Sequence, residues 1–423
     1  MTSRRRFLET AAAGGAFTIL QPDQVRGSAA NSAVRIGLLG CGNRGSTDAR
    51  NIAQHTDARI VALADLFQDQ LDRAKQRFDK LAESKGYSGV AQTFVGSKSS
   101  DQLFESKEID AVVIATPAWF HPSHLAGAAA GGKHVYLEKP VAVDVPGARR
   151  VLEIGKRMEG KLNLDVGFQI RSAPPFVELV RRIHSGALGP IACAEAHYYA
   201  ALPRYTEYPN AGPQELRIRN WLRDRVLSGD IIVEQNIHAL DICNWVLQAT
   251  PLRAIGHGGR EGRGETGGDV YSHFDVIFEY SNRVHVSFNS VQFGKGKFDV
   301  SERFFGVKGA SFSPYSGPLG IEGDEPWTWP GSETQQGGQF SASGSFSDNL
   351  AEADSEKQKG FIAAISKGTL HNQARQGVDS ALTAMLGRQA AYTGHEVAWD
   401  HLLRSNEPWE CGIDLEKVAR SGS

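Results

Sequence analysis

The chain has 423 residues, and at this length one hydrophobic core is not expected, because cores stop growing at roughly 250–300 residues. Hydrophobic residues make up 41% and charged residues 22%, and the net charge of −2 gives no basic surface for nucleic acid. No apolar run approaches the roughly 20 residues of a membrane span, and the four cysteines lack the CxxC spacing of a zinc site or disulfide framework. We therefore predict a two-domain globular protein with no nucleic-acid partner, membrane span or metal.

The first thirty residues differ in composition from the rest of the chain. Residues 3–8, Ser-Arg-Arg-Arg-Phe-Leu, resemble the twin-arginine export motif, and residues 11–20 are weakly apolar and rich in Ala and Gly. Residues 28–30, Ser-Ala-Ala, are small enough for a cleavage site. We predict a twin-arginine-type signal peptide at residues 1–30 and a periplasmic or other extracytoplasmic location. The alternative is a basic, disordered tail.

A glycine-rich turn follows the first predicted strand, residues 34–39. Gly40, Gly42 and Gly45 form GxGxxG between this strand and a helical segment at residues 46–54, which is the context of a dinucleotide-binding motif. The glycines would permit a tight turn, close approach of a pyrophosphate and close packing of the helix, whose N-terminus favours phosphate. Two residues inside the motif are further cofactor-binding candidates: Asn43 and Arg44.

The second predicted strand, residues 60–64, ends in Asp65, twenty residues after Gly45. A carboxylate at this spacing suits hydrogen bonding to the ribose hydroxyls and repels a 2′-phosphate, so NAD is favoured over NADP. The alternative is an aspartate that caps the next helix, predicted at residues 68–84. A further strand is expected near Thr93.

A buried strand at residues 109–115 leads into Thr116 and Pro117, with His121 and His124 after it. The two histidines have the i, i+3 spacing of a helix and could in principle bind metal. We predict no metal there, because neither cysteine nor a carboxylate cluster lies nearby in the sequence.

The next short apolar run, residues 135–137, ends in Glu138, Lys139 and Pro140. Ligands of open parallel sheets bind beyond the carboxyl ends of the strands, so Lys139 could meet both a cofactor and a substrate. The alternative is a surface ion pair. A strand at residues 162–168, followed by Gln169, would complete a doubly wound parallel sheet in a dinucleotide-binding domain at residues 31–170.

The predicted substrate domain, residues 171–423, carries a second cluster of chemically active side chains. If the segment after Asp230 is helical, Glu234 and His238 lie on one face and Asp241 lies one turn further. A carboxylate beside a histidine orients the imidazole and raises its basicity, which suits a general base. The alternative is a structural ion pair on an amphipathic helix.

From Tyr271 onward the hydrophobic pattern has the period of strands. Residues 273–280 and 284–288 predict an antiparallel hairpin with a turn at residues 281–282. Residues 304–312 predict one further strand, residues 313–350 a long loop, and residues 381–392 a helix. This sheet would form a wall of a substrate cleft and a surface for homo-oligomer formation.

With both clusters in view, the sequence resembles the glucose–fructose oxidoreductase, inositol dehydrogenase and rhizopine-catabolism (Gfo/Idh/MocA) family. The resemblance covers most of the chain from about Val34 onward. It implies an α/β fold: an N-terminal Rossmann domain with a doubly wound parallel sheet, and a C-terminal α/β domain with a large, mostly antiparallel open sheet. The carriers are the GxGxxG turn, Thr116-Pro117 with His121, Glu138-Lys139-Pro140, and the run from Glu234 through His238 to Asp241.

The resemblance also implies roles. Lys139 would touch the nicotinamide ribose and the reacting hydroxyl, and His238 would take the hydroxyl proton while hydride moves to nicotinamide. Glu234 stands where many members have aspartate, and Asp241 would orient His238 or hold a sugar hydroxyl. Arg219 and Trp221 are expected in the cleft wall. Beyond the glycine-rich turn and Asp65, the predicted cofactor-binding residues are Thr116, Pro117, His121, Glu138, Lys139, Gln169 and Trp221.

These features predict an NAD-dependent oxidoreductase acting on a carbohydrate or polyol. Export would require the cofactor to travel already bound, so we expect tightly held NAD. One alternative is a redox-neutral glycoside hydrolase or lyase that acts through a transient keto-sugar. A second is a non-catalytic module that binds NAD or sugar, since a fold does not fix function.

Overall fold

The computed structural model describes residues 33–201, 205–262, 264–292, 298–335 and 348–421. The predicted signal peptide at residues 1–30 lies outside this described part of the chain. Residues 34–423 cluster into one compact unit. Within the described residues, no helix is long and apolar enough to cross a membrane.

The first sheet has six parallel strands in the order β3-β2-β1-β4-β5-β6, which confirms the predicted doubly wound topology. Its central strands are fully buried, as expected for a sheet covered on both faces. The strands are β1 Arg35–Leu39, β2 Arg59–Asp65, β3 Gln92–Val95, β4 Ala111–Ile114, β5 His134–Leu137 and β6 Leu164–Val166.

Five helices connect these strands. The second has the predicted bounds, and the fifth begins after Asp144, whose carboxylate accepts a hydrogen bond from the Gly147 amide. The helices are α1 Asn43–His55, α2 Gln68–Ser84, α3 Ser99–Glu105, α4 His121–Ala130 and α5 Val145–Met158. The connections from β1 and β4 leave on opposite sides of the sheet. The carboxyl ends of these two strands therefore border the crevice in which ligands of such folds bind.

The second sheet has nine strands in the order β14-β13-β12-β11-β7-β10-β9-β8-β15. Its pairs are antiparallel except β7 with β10, which confirms the predicted large, mostly antiparallel sheet. The strands are β7 Ile191–Tyr199, β8 Arg253–Gly259, β9 His273–Glu279, β10 His285–Val291, β11 Asp299–Gly306, β12 Gly309–Phe312, β13 Gly320–Gly323, β14 Trp327–Thr328 and β15 Val397–Ala398.

Two predictions for this sheet are wrong. Residues 304–312 belong to two strands, β11 and β12, instead of one, and part of the predicted loop at 313–350 forms β13 and β14. Glycines in both segments are needed for close strand pairing. A Cβ at Gly309 would lie 2.3 Å from the Glu322 carbonyl oxygen, and one at Gly320 would lie 2.2 Å from that of Trp327.

The described residues form nine further helices, some of which pack on one face of the second sheet while others return to the first. The long helix α12 packs on β8 and β9, and it extends beyond the predicted residues 381–392. The opposite face of the sheet stays exposed, as the alternation of buried and exposed residues in β9 shows. The helices are α6 Pro174–His184, α7 Pro213–Arg219, α8 Arg225–Ser228, α9 Ile231–Glu234, α10 Ile237–Leu247, α11 Ala353–Lys367, α12 Ala374–Thr393, α13 Trp399–Leu403 and α14 Leu415–Ser421.

Helices α11 and α12 also contact the first domain, against α1 and α5 respectively. Asp165 of β6 stabilises this packing. Its two carboxylate oxygens bind Lys357 Nζ of α11 at 2.5 Å and His371 Nε2, between α11 and α12, at 2.7 Å. Residues late in the sequence therefore help to build the nucleotide side of the molecule.

Candidate active site

The glycine-rich turn has the geometry of a dinucleotide site. Gly40 has a φ of 91°, and a Cβ there would lie 2.6 Å from the Ala115 carbonyl oxygen. A Cβ at Gly45 would lie 2.1 Å from the Gly40 carbonyl oxygen, whereas one at Gly42 would meet nothing within 4 Å. Helix α1 begins at Asn43 without a side-chain cap, so its first N–H groups are available to phosphate. The turn therefore fits a pyrophosphate.

Asp65 ends β2 beside this turn. Its contacts fit both interpretations of its sequence position, as a ribose-binding carboxylate and as a cap for the next helix. Its Oδ2 accepts a hydrogen bond from the Cys41 amide at 2.7 Å, and its Oδ1 accepts one from the Phe67 amide at 2.9 Å. Burial raises the pKa of Asp65. Each carboxylate oxygen has a second lone pair, so both could accept from a ribose hydroxyl.

Arg44 and Glu138, both predicted to bind the cofactor, contact each other in a buried charge cluster. Arg44 Nε lies 3.0 Å from Glu138 Oε1, and Arg44 Nη2 lies 2.7 Å from Asp354 Oδ1 and 3.1 Å from Asp48 Oδ1. These contacts join α1, the end of β5 and α11. Burial holds the pKa of Asp48 well above its usual range. These contacts give the two side chains a structural role, and cofactor binding by Arg44 and Glu138 stays a prediction.

Thr116 and Pro117 follow β4, and His121 connects their backbone to that of the Glu138-Lys139-Pro140 segment. His121 Nε2 lies 2.8 Å from the Thr116 carbonyl oxygen, and Nδ1 lies 2.7 Å from that of Pro140. His121 therefore lies between the two strand ends and helps to position them, and its contact with a cofactor stays a prediction. Within the described residues, no group of three or more His, Cys, Asp or Glu could hold a metal ion.

Lys139 lies at the carboxyl end of the first sheet and pairs with Glu234. Its Nζ lies 2.7 Å from Glu234 Oε1 and donates a second hydrogen bond, also of 2.7 Å, to the Glu234 carbonyl oxygen. Both side chains are about 90% buried, at 12% and 10% exposure. An ammonium group has three N–H donors, so one remains for a ligand.

The continuous helix predicted through Glu234 and His238 is wrong. Helix α9 ends at Glu234 and α10 starts at Ile237. Gln235 and Asn236 lie between the two helices. The i, i+4 relation is lost, and Glu234 pairs with Lys139 instead of orienting His238.

His238 is 5% exposed and lies edge-on to the Phe168 ring, with centroids 6.2 Å apart. Its Nδ1 is buried and has no hydrogen-bond partner in the part of the chain that the structure describes. Burial, with the nearby positive charges of Lys139 and Arg44, holds the pKa of His238 well below its usual value. The imidazole is therefore neutral at pH 7 and able to accept a proton.

Asp241 does not orient His238. Its Oδ2 accepts a hydrogen bond from Arg171 Nε at 2.8 Å, and its Oδ1 accepts one from Ser380 Oγ at 2.6 Å. At 1% exposure, Asp241 anchors α10 to α12 and to the segment after β6.

The remaining predicted residues divide between two places. Gln169 follows β6 and is buried, and its Oε1 has no partner among the described residues. Arg219 and Trp221, expected in the substrate wall, lie beside the residues that follow Asp65. The Arg219 guanidinium lies 3.8 Å above the Phe67 ring and pairs with Asp69 at 3.0 Å.

The turn that precedes Glu234 contains a residue that the sequence analysis missed. Asp230 has a φ of 72° and no exposed surface, and it accepts hydrogen bonds from the amides of Ile231 and Tyr271 and from Tyr392 Oη. A non-glycine residue held at positive φ stores strain that its surroundings must offset. The signal that could have indicated this turn is the pair Gly229-Asp230 just before the helix.

Fold and turn together define an NAD-binding oxidoreductase. Residues 34–166 match the family model described as "Oxidoreductase family, NAD-binding Rossmann fold", and residues 176–311 match the GFO/IDH/MocA C-terminal domain. The chain belongs to the Gfo/Idh/MocA oxidoreductase family, as its sequence motifs predicted.

Curated relatives and a solved structure agree with this assignment. The chain is 26% identical over 349 residues to an inositol 2-dehydrogenase of Rhizobium meliloti, covering 79% of this chain and 89% of the relative. It is 30% identical over 227 residues to scyllo-inositol 2-dehydrogenase (NAD(+)) of Bacillus subtilis, covering 53% and 57%. Levoglucosan dehydrogenase, solved with NADH and levoglucosan, has the same fold, with a TM-score of 0.67, 17% identity and coverage of 86% and 99%.

Proposed function

We propose that this protein is an NAD-dependent oxidoreductase that oxidises a CH–OH group of a polyol or related sugar. The observation that carries the proposal is the arrangement of Lys139, Glu234 and His238 at the carboxyl end of the first sheet. A positive donor with one free N–H lies near a buried, neutral imidazole. Such a pair suits a reaction in which a neutral hydroxyl must lose its proton.

Each side chain has a distinct task in this proposal. Lys139 donates its remaining N–H to the reacting hydroxyl oxygen and stabilises the negative charge that develops there. His238 accepts the hydroxyl proton, and Glu234 fixes the Lys139 ammonium group. Bound NAD supplies the acceptor for the hydride of the carbinol carbon.

The names of the relatives support a polyol substrate. The chain is similar to inositol 2-dehydrogenases, and this similarity favours net oxidation over the two alternatives predicted from the sequence. A redox-neutral glycosidase and a silent binding module are therefore not favoured.

Turnover on a panel of inositols, sugars and sugar alcohols tests the function directly. We expect substrate-dependent formation of reduced nicotinamide by the wild-type enzyme, its loss in Lys139→Met, and no change in Lys359→Met, which removes an exposed lysine on α11. NAD binding without turnover on any member of the panel would contradict the proposal and favour the binding module.

We further propose that the protein is exported by the twin-arginine route with NAD already bound. The motif at residues 3–8 supports this, because that route carries folded proteins. Mass spectrometry of the nucleotide released on denaturation of the mature protein tests the proposal. Stoichiometric NAD is the expected result, and an empty protein that binds NAD weakly would contradict a resident cofactor.

The exposed face of the second sheet is our proposed homo-oligomer surface. Ile255 and Ile277 are cross-strand neighbours on that face and are 46% and 47% exposed. We expect Ile277→Lys to convert an oligomer to monomers in light scattering, whereas a wild-type monomer would contradict this surface.

A further inference from the structure

The C-terminal segment at residues 405–421, here called the strap, crosses the nucleotide side of the molecule. It follows α13 and ends in α14, and it lies outside both ranges that match the family models. It touches neither Lys139 nor His238 in any hydrogen bond or ring contact that the structure describes. Its contacts lie instead with α7 and with the segments that follow β2, β4 and β5.

Backbone hydrogen bonds fix the first part of the strap to the first domain. Trp119 Nε1 donates to the Trp409 carbonyl oxygen at 2.6 Å, and the Trp409 amide donates to Asp144 Oδ2 at 2.7 Å. Arg149 Nη2 donates to the Ser405 carbonyl oxygen at 2.7 Å. Trp119 comes two residues after Pro117, so the strap is attached to the segment that follows β4.

A second set of bonds fixes the strap to α7 of the other domain. Gln214 Nε2 donates to the Gly412 carbonyl oxygen at 3.2 Å, and Gln214 Oε1 accepts from the Asp414 amide at 2.9 Å. Arg217 Nη1 donates to the Cys411 carbonyl oxygen at 2.9 Å. The strap therefore bridges the two sides of the nucleotide crevice.

An apolar cluster lies beneath the strap. Cys411 and Val418 of the strap pack against Phe67 and Phe120, with Trp221 at the edge of the cluster. Cys411 is 7% exposed and Val418 is 2% exposed. Phe67 comes two residues after Asp65, and Phe120 follows the β4 end. In doubly wound folds, these two strand ends flank the adenosine half of the dinucleotide, because the acidic residue after β2 binds its ribose.

The same cover leaves little access to the ribose-binding carboxylate. Asp65 is 8% exposed, and Arg219 of α7 lies above Phe67 and pairs with Asp69 at the start of α2. The residues that follow Asp65 are therefore covered by Arg219 of α7 and by the apolar cluster of the strap.

We propose that the strap closes the adenosine side of the NAD site and slows release of the nucleotide. This inference rests on the proposed NAD-dependent function and explains how a cofactor could be retained through many turnovers. No catalytic atom is involved, so the strap should act on nucleotide residence and not on the chemical step.

Exchange of bound NAD for isotopically labelled NAD, followed by mass spectrometry, measures this residence directly. Gln214→Ala removes both hydrogen bonds of one side chain to the strap, and Val418→Ala opens the apolar cluster. We expect about threefold faster exchange in Gln214→Ala and about tenfold faster exchange in Val418→Ala. A tenfold change corresponds to about 1.4 kcal/mol. Gln389→Ala, an exposed glutamine on α12, is the matched control and should exchange at the wild-type rate.

A chain that ends at Arg404 lacks the whole strap and should exchange faster still, with an unchanged rate of hydride transfer once saturated with NAD. If this chain does not fold, the two point variants decide. Wild-type exchange rates in both variants, even with a lower melting temperature, would make the strap a structural brace and overturn the inference alone. A wild-type protein that binds no NAD would instead overturn the proposed function.

Discussion

Glu138 and Lys139 are neighbours at the end of β5, yet they belong to two different charge networks. Glu138 is part of the buried cluster in which Arg44 meets three carboxylates. Lys139 extends across the domain boundary to Glu234, close to a histidine whose Nδ1 has no partner among the described residues. The Arg44 network joins elements of the nucleotide domain. The Lys139 network has one N–H donor and one ring nitrogen available for a ligand.

The difference between the networks is the number of protein partners around each cation. The Arg44 guanidinium directs four of its five N–H donors to three carboxylates, those of Asp48, Glu138 and Asp354, whereas the Lys139 ammonium pairs with one. Lys139 keeps a free N–H, and His238 stays neutral because burial lowers its pKa. Buried charges therefore do not identify an active site by themselves, since structural ion-pair networks also bury them.

His238→Gln should produce the largest effect, on activity alone. Loss of a positioned general base lowers turnover by about 10²–10⁴-fold. We expect this loss in kcat with polyol substrate, while NAD exchange and the melting temperature stay near the wild-type values. A variant that retains a tenth or more of the wild-type kcat would show that His238 is not the base.

Arg44→Met should break the other network and act on stability. It leaves Asp48, Glu138 and Asp354 buried without a positive partner, which costs about 3–5 kcal/mol when one member of a buried ion pair is removed. Urea unfolding measures the loss. Arg375→Met, which removes an arginine 78% exposed on α12, is the control and should change stability by no more than about 0.5 kcal/mol.

Glu234→Gln tests whether the carboxylate positions Lys139. The amide can still accept a hydrogen bond from Nζ, and the backbone bond to the Glu234 carbonyl oxygen stays, so the protein should fold normally. Loss of the charge should lower kcat by about fivefold, since a charged acceptor is worth about 1 kcal/mol more than a neutral one. Recovery in Glu234→Asp, which keeps the negative charge, would support positioning. Unchanged kcat in Glu234→Gln would contradict it.

The smallest effect is a slope of stability against pH. The pKa of buried His238 is lowered by folding, so below about pH 6.5 the unfolded chain takes up a proton that the folded chain rejects. Stability is therefore complete above that pH and falls as the pH drops towards the folded pKa. Urea unfolding at several pH values should show a slope smaller by about 1.4 kcal/mol per pH unit in His238→Gln. Equal slopes in variant and wild type would contradict a neutral buried histidine.

Features set by short stretches of sequence were predictable. Three features lie at the ends of strands that are predictable from the apolar residues of each strand: the GxGxxG turn, Asp65 and Lys139. The structure places all three at one edge of the first sheet. The partners of these residues were not predictable, because Asp354 and Glu234 reach Arg44 and Lys139 from 310 and 95 positions away in the chain.

Local patterns also misled where tertiary contacts override them. Gln235 and Asn236 fit a helical pattern, but the helix is interrupted at these two residues. The interruption separates Glu234 from His238. Gly320 lies in the segment predicted as a loop, but its missing side chain allows strands to pair. The strap carried no recognisable motif, since its contacts are mostly made by its backbone.

The rate of hydride transfer in Lys139→Met and Glu138→Gln tests the central claim most directly. Single-turnover absorbance of reduced nicotinamide, with NAD-loaded protein and a polyol substrate, compares two adjacent residues in one assay. We expect Lys139→Met to be slower by about 10²–10³-fold and Glu138→Gln to stay within about threefold of the wild type while losing stability. If both variants lose transfer equally, or if Lys139→Met retains the wild-type rate, the division into a structural and a catalytic network is contradicted.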